Sequence, residues 1–153
     1  MHAKAQRIQE FLTEHGEPGR VRELPDSART AAEAASALGT TPAQIAKSLV
    51  FVAGDEPILV VASGANRVDT DRIGKHVTGP VTRPDAKRVR AVTGYSIGGI
   101  PPFRHQTPLR TFVDVDLLGF DTVWAAAGTP HAVFPIAPDR LVALSGGEVV
   151  EVC

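Results

Sequence analysis

Ten consecutive residues, Gly94-Tyr95-Ser96-Ile97-Gly98-Gly99-Ile100-Pro101-Pro102-Phe103, hold three glycines, two prolines and two aromatics. Glycine lets the main chain visit positive φ and lets another molecule come close to it, while proline fixes φ and removes an N–H donor. The expectation is a stiff loop with exposed amides, suited to an anion or a polarised carbonyl. An ordinary turn between a helix and a strand has the same composition. Inside the loop, Gly94 to Gly98 spells G-x-S-x-G, the pattern of a nucleophile elbow. An elbow needs a strand before its serine and a helix after it. Asp85 to Thr93 reads as a helix and Gly98 to Pro102 cannot start one, so the context argues against Ser96 as a nucleophile.

Lys47 stands where a helical turn meets an apolar strand, in Ile45-Ala46-Lys47-Ser48-Leu49-Val50-Phe51. A lysine there either snorkels to water or is held in a pocket to meet an anion or a carbonyl. His131 follows a Gly128-Thr129-Pro130 turn and begins a strand, where it either lines the same cleft or faces solvent. His2, His15, His76 and His105 show no helical pairing with each other or with a cysteine, so no metal site is legible. Cys153 is the single cysteine and the last residue, which rules out an intramolecular disulfide and leaves the thiol without a fixed base.

The 153 residues, 43% hydrophobic and 22% charged, fit one soluble domain with a core of its own. The formal charge is only −1, so bulk attraction to nucleic acid is excluded. The sign is unevenly spread. Arg83 to Arg110 carries six bases (Arg83, Lys87, Arg88, Arg90, Arg104, Arg110) against one acid, Asp85, a local charge of +5. Such a patch beside a glycine loop suits a phosphate-bearing ligand, although scattered surface arginines give the same tally. No apolar leader and no long apolar run is present, so a cytoplasmic protein without a membrane partner is expected.

These residues need a frame. Ala3 to His15 predicts a helix with Ile8, Phe11 and Leu12 on one face, stopped by Gly16. Val21 to Leu24 is a short strand. Thr30-Ala31-Ala32-Glu33 has capping-box spacing and opens an alanine-rich helix to Leu38, which Gly39 ends. Thr41-Pro42 starts a further helical turn running toward Lys47. Ser48–Ala53 and Ile58–Ser63, separated by Gly54-Asp55-Glu56-Pro57, read as a buried hairpin. Helices follow at Asp69–His76 and Asp85–Thr93, then strands at Leu109–Val113, Thr122–Ala126 and Ala132–Ile136. A helix at Pro138–Leu144 and a strand at Val149–Val152 complete the chain. The pattern predicts an α+β fold, a mixed, largely antiparallel sheet with helices packed around it in one domain, residues 1–153.

Four of these segments, taken in order, resemble the YbaK family, the editing domain of bacterial prolyl-tRNA synthetases and its free-standing relatives. They are Thr30 to Ala35, Ile45 to Phe51, Gly94 to Phe103 and Ala127-Gly128-Thr129-Pro130-His131. The resemblance spans nearly the whole chain from about Ala28 onward. It implies a trans-editing deacylase that hydrolyses the ester of a mischarged, proline-related tRNA. Lys47 matches the family's functional lysine, and Gly98, Gly99, Ile100, Pro101 and Pro102 match its G-x-x-x-P loop. His131 falls where several members have a histidine. Those seven are the candidate catalytic residues, with Tyr95, Phe103, Lys87, Arg88 and Arg90 as candidate substrate contacts. The implied partners are the acceptor end of an aminoacyl-tRNA and, beyond it, prolyl-tRNA synthetase. No cofactor and no metal is implied. Phe103-Arg104-His105 departs from the glycine more usual after the aromatic.

Physical logic supports such an enzyme independently of the family. One methylene in an apolar pocket discriminates by only ~1–3 kcal/mol, so a synthetase admits slightly smaller amino acids and needs a second, hydrolytic site. The chain has no convincing nucleophile, but ester cleavage can proceed by fixing the carbonyl against backbone amides and orienting a water. Two other classes fit the same residues: a tRNA- or synthetase-binding module without turnover, and a small-ester hydrolase using Ser96.

Overall fold

The computed structural model describes residues 1–26, 28 and 30–153. Five helices, α1 (Ala3–Glu14), α2 (Ala31–Leu38), α3 (Thr70–Gly74), α4 (Ala86–Thr93) and α5 (Pro138–Ser145), flank one sheet. Its eight strands are β1 (Arg22–Glu23), β2 (Ile45–Ala53), β3 (Glu56–Ser63), β4 (Val81–Thr82), β5 (Arg110–Asp114), β6 (Val123–Ala126), β7 (Ala132–Ile136) and β8 (Glu148–Val150). They run in the order β1-β7-β6-β2-β3-β5-β8, with β4 also on β2. Four of these pairings are antiparallel and three, β2–β6, β3–β5 and β5–β8, are parallel. The mixed, mostly antiparallel α+β architecture is the one the sequence predicts.

Local chemistry sets the element ends. Thr30 Oγ1 accepts from the Glu33 N–H and donates to the Glu33 carboxylate, which caps the start of α2. Gly39, Gly94 and Gly146 close α2, α4 and α5 in the left-handed conformation, each with an N–H returned to the last turn. The helical turn after Thr41 is shorter than expected. It is a 3₁₀ turn, Pro42–Gln44, and the strand begins at Ile45, which is already extended. β-Branched Ile45 and the apolar run behind it gain more from the ladder to β3, Ala46↔Ser63 through Ala53↔Glu56, than from one more helical turn. Lys47 is therefore inside a strand. The expected helix at Asp69–His76 is the single turn α3, because Asp69 caps it and Lys75 ends it. β4 and a 3₁₀ turn at Val115–Gly119 have no clear sequence signal.

Alternation along β2 divides the core. Ala46 and Val50 pack with Ala5, Ile8 and Leu12 of α1, Val89 of α4 and Leu141 of α5. On the opposite face Phe51 and Ala53 pack with Ile73 of α3, and Ile45 packs with Ala34 and Ala35 of α2. Among the described residues, no helix is long and apolar enough to cross a membrane.

Candidate functional site

The same alternation places Lys47 on the face of Ile45 and Phe51, between the segment that α2 covers and the segment that α3 covers. Lys47 lines a cavity of about 220 Å³ together with Ala31 and Ala34 of α2. Lys47 is half-buried, and burial lowers its pKa from 10.5. Arg83 pushes the same way and Asp114 opposes both. Among the described residues no carboxylate lies within ion-pair distance of it. A cation that is partly desolvated, repelled by a neighbouring arginine and without a close counterion attracts an anionic or carbonyl ligand.

A gap in the sheet makes the opening. β6 pairs with β2 only at Ile45 and Ala46, and β4 only at Val52 and Ala53. Between them, Lys47 to Phe51 pairs with no strand on that edge. Ile97, Gly98 and Ile100 stand along this opening, where they line the same cavity as Lys47. Gly98, at φ +92°, occupies the third position of a turn in which the Gly99 N–H donates to the Ser96 carbonyl at 3.0 Å. That φ is the one a type II turn requires of glycine. The Gly98 and Ile100 amides donate to no protein atom among the described residues.

The remaining candidates separate into distinct environments. Gly99 does not present an open amide as expected, since its N–H closes the turn. A Cβ there would meet the Thr129 carbonyl carbon at 2.8 Å and the Pro130 nitrogen at 3.0 Å, so this glycine exists for close packing of two loops. Pro101 and Pro102 are buried beneath the turn. Tyr95 and Phe103 are core residues, 7% and 3% exposed, and do not contact the cavity. Phe103 stacks on Phe11 at 4.7 Å and meets Phe134 at 5.6 Å. The Tyr95 hydroxyl donates to the Arg104 carbonyl, and burial pushes its pKa up. Both aromatics were expected at the ligand, but the apolar area they bury against α1 and β7 outweighs exposure at a rim.

His131 lies in another hollow, of about 430 Å³, beside Lys4, Ser96 and Gly128. The two spaces share Leu24 and Pro130 as walls but not Lys47. Among the described residues the His131 Nδ1 is buried without a hydrogen-bond partner. Ser96 itself is exposed and follows helix α4 rather than a strand, which removes the elbow context. The smaller cavity joins the Lys47 cation, the free Gly98 and Ile100 amides and the open strand edge. Lys87, Arg88 and Arg90 are exposed on α4, with Val89 turned into the core and the Arg88 guanidinium donating to the Asp55 carbonyl.

Two residues with a part in the site gave no sequence signal. Buried Asp114, at the end of β5, accepts from the Ser63 N–H and the Asn66 side chain at 3.0 and 2.9 Å and supplies the negative field felt by Lys47. Ser48 lines the same cavity, and its Oγ is buried with no hydrogen-bond partner among the described residues. Neither is visible without the pairing of strands distant in sequence. Among the described residues no group of three His, Cys, Asp or Glu is placed to hold a metal ion.

His105 ties down the far end of the loop. Its Nε2 lies 2.7 Å from the Pro101 carbonyl, and burial keeps its pKa below 6.5 although that bond raises it. Burial thus favours the neutral ring in the folded state. Its contribution to stability is complete above the unfolded value of 6.5 and is lost as pH falls through the lower folded value. The melting temperature of the wild type should therefore fall more than that of His105→Gln between about pH 7.5 and about pH 5.5. Parallel falls would show that His105 does not set the acid sensitivity.

Comparison with known proteins places these features in a family. The model of the aminoacyl-tRNA editing domain matches residues 25–144, most of the chain. A crystal structure described as that of a candidate trans-editing enzyme for prolyl tRNA synthetase superposes with a TM-score of 0.94 at 44% identity, covering 99% of this chain and 98% of that one. Uncharacterized protein YwhH of Bacillus subtilis (strain 168) is 30% identical over 148 residues, 95% of this chain and 94% of its own length. Proline--tRNA ligase of Ligilactobacillus salivarius (strain UCC118) is 32% identical over 95 residues, which are 61% of this chain but 16% of the ligase. The chain belongs to the aminoacyl-tRNA editing domain family, the YbaK-like group that its four motifs resemble.

Proposed function

We propose that the chain is a trans-acting deacylase that hydrolyses the ester between a wrong amino acid and a proline-related tRNA. The carrying observation is the single cavity in which Lys47 faces the open edge of β2 and the turn that holds Gly98 and Ile100. The family and the similarity to a proline--tRNA ligase segment support the substrate class.

In this reading Lys47 holds the terminal nucleotide electrostatically, and the Gly98 and Ile100 amides receive the carbonyl oxygen as it becomes an oxyanion. A positioned water attacks the carbonyl carbon and loses a proton. The bond from that carbon to the 3′ oxygen breaks, and the oxygen leaves as a hydroxyl after taking up a proton, with the vicinal 2′-hydroxyl of the tRNA as relay. Free amino acid and intact tRNA result. No covalent enzyme intermediate is required.

The test is release of amino acid from a panel of mischarged tRNAs, with and without prolyl-tRNA synthetase. Turnover on a proline-related tRNA supports the proposal. Binding without turnover on any member of the panel overturns it in favour of a binding module.

The exposed bases of α4 supply the tRNA face. Affinity should fall steeply with salt because phosphate contacts release counterions, and Lys87→Glu or Arg90→Glu should lower the log–log slope by about one each. A flat titration would show that this helix does not meet the phosphates.

A further inference from the structure

A separate pocket lies at the base of the loop that carries Gly98. It measures about 200 Å³, and its walls include Lys4 and Arg7 of α1, Gly94 and Tyr95 where the loop leaves α4, and Arg104 and Gln106 where it returns. None of its residues lines the Lys47 cavity, and none is an Asp or a Glu. Lys4 Nζ stands 5.7 Å from the centre of the Tyr95 ring. Burial raises the pKa of the Tyr95 hydroxyl, while the charges of Arg104 and Arg7 both pull it down, so guanidinium groups from the loop and from α1 act on the same point.

Three features of this pocket cost free energy in the protein alone. Among the described residues, Lys4, Arg7 and Arg104 make no ion pair with a carboxylate, so like charges share one pocket without a counterion. Lys4 lies in the first turn of α1, where a cation opposes the helix dipole and no acid stands to offset it. Arg104, at φ +61°, is left-handed, alone among the described non-glycine residues. Strain of this kind persists only where the surroundings hold it, and it gathers at binding sites. Here the Tyr95 hydroxyl donates to the Arg104 carbonyl, and the Gln106 and Thr107 amides donate to the Thr93 and Val92 carbonyls. The last two bonds also occupy carbonyls at the end of α4, so that helix end presents little negative charge to the pocket.

We propose that this pocket is a phosphate site, in which Arg7 and Arg104 hold a tetrahedral oxyanion between them and Lys4 completes its neutralisation. A planar guanidinium donates two parallel N–H bonds to a phosphate, and two guanidinium groups on different elements suit a group with several acceptor oxygens. The space is several times the about 30 Å³ that a water takes up in the liquid, which is room for a phosphate group. That group belongs either to a free phosphate compound or to a nucleic-acid backbone, and the chemistry that recognises it is the same. Because Arg104 is on the loop and Lys4 and Arg7 are on α1, a bound phosphate ties the returning end of the loop to that helix. The site stands apart from Lys47 and does not rest on the deacylase reading.

The experiment uses the full chain with sodium phosphate, with sodium chloride at equal ionic strength, and with an unacylated acceptor-stem RNA hairpin. Tyr95 is the only tyrosine, so its ring resonances in proton NMR report occupancy of the pocket directly. Phosphate should shift them along a saturating curve and raise the melting temperature with the logarithm of its concentration, where chloride does neither. Arg7→Gln combined with Arg104→Asn, a residue that tolerates left-handed backbone, should weaken phosphate binding by about tenfold or more, the scale of losing charge-assisted hydrogen bonds. Lys75→Gln, which removes an exposed charge at the end of α3, should not. If the phosphate is that of a nucleic acid, the hairpin shifts the same resonances and the double variant lowers the log–log salt slope of RNA binding by about two. If it is that of a free compound, RNA leaves Tyr95 unmoved and binds the double variant as well as the wild type. Wild-type Tyr95 resonances that answer to neither phosphate nor RNA overturn the site, even where the double variant is too unstable to titrate. Phosphate binding that survives in the double variant overturns it equally.

Discussion

Lys47→Ala is expected to lower deacylation by about 10²–10³-fold, the scale of removing one electrostatic contact to a developing charge, while leaving the fold intact. The loss should be shared by Lys47→Met, which keeps an apolar stem and removes only the charge. Stability should move the other way or not at all. Burial lowers the pKa of Lys47, so the folded chain holds its cation less readily than the unfolded chain does. That penalty is present at neutral pH and is relieved as pH rises through the folded value toward 10.5, because the unfolded chain binds more protons in that window. Any gain in melting temperature of Lys47→Ala over wild type should therefore shrink in alkaline buffer. Near-normal turnover by either variant would mean that the lysine only snorkels and that the cavity works without its charge.

The turn at Gly98 and Gly99 gives the second large effect, and the two glycines should fail differently. At Gly98 a Cβ has room, with Pro130 Cβ nearest at 3.9 Å, so the cost of Gly98→Ala is conformational: φ is +92°, and left-handed backbone costs an L-residue roughly 1–2 kcal/mol. Relief of that strain turns the amide, and turnover should fall by about 10²–10³-fold with a modest drop in melting temperature. Gly99→Val collides with the backbone of Thr129 and Pro130 and should lose stability and turnover together. Ser96→Ala should be nearly silent, since Ser96 contributes its carbonyl to the turn and its side chain is exposed. An inactive Ser96→Ala beside an active Gly98→Ala would assign the chemistry to the serine.

Several parts of the fold are legible in the chain because their causes are local. A capping threonine three residues before Glu33, a glycine after each of three helices and the apolar runs on either side of Gly54 to Pro57 act within a few residues, and α2, α4, α5 and the β2–β3 hairpin appear where those signals stand. The limits of local reading appear at Lys47. Thr41-Pro42 does start a helical turn, but how far it runs is decided by β3, whose ladder reaches back to Ala46.

The site follows the same division. Motif order in the sequence identified the family and singled out Lys47 and the Gly98 turn as candidates, since each is a matter of residue type and spacing. It misplaced Tyr95 and Phe103, because an aromatic next to a glycine loop has the same local pattern whether it faces a ligand or, as here, Phe11 and Phe134. It also gave Gly99 an open amide that the turn to Ser96 closes. By itself the sequence determined the caps, the stops, the alternating strands and the lysine that meets them, all effects of near neighbours and of side-chain period. Tertiary structure alone decided that parallel β6 would leave β2 after Ala46, that β4 would rejoin it at Val52 and that Asp114 would reach the field of Lys47. Those contacts join segments far apart in the chain, and their free energy comes from burial and pairing across the sheet, which no local pattern encodes.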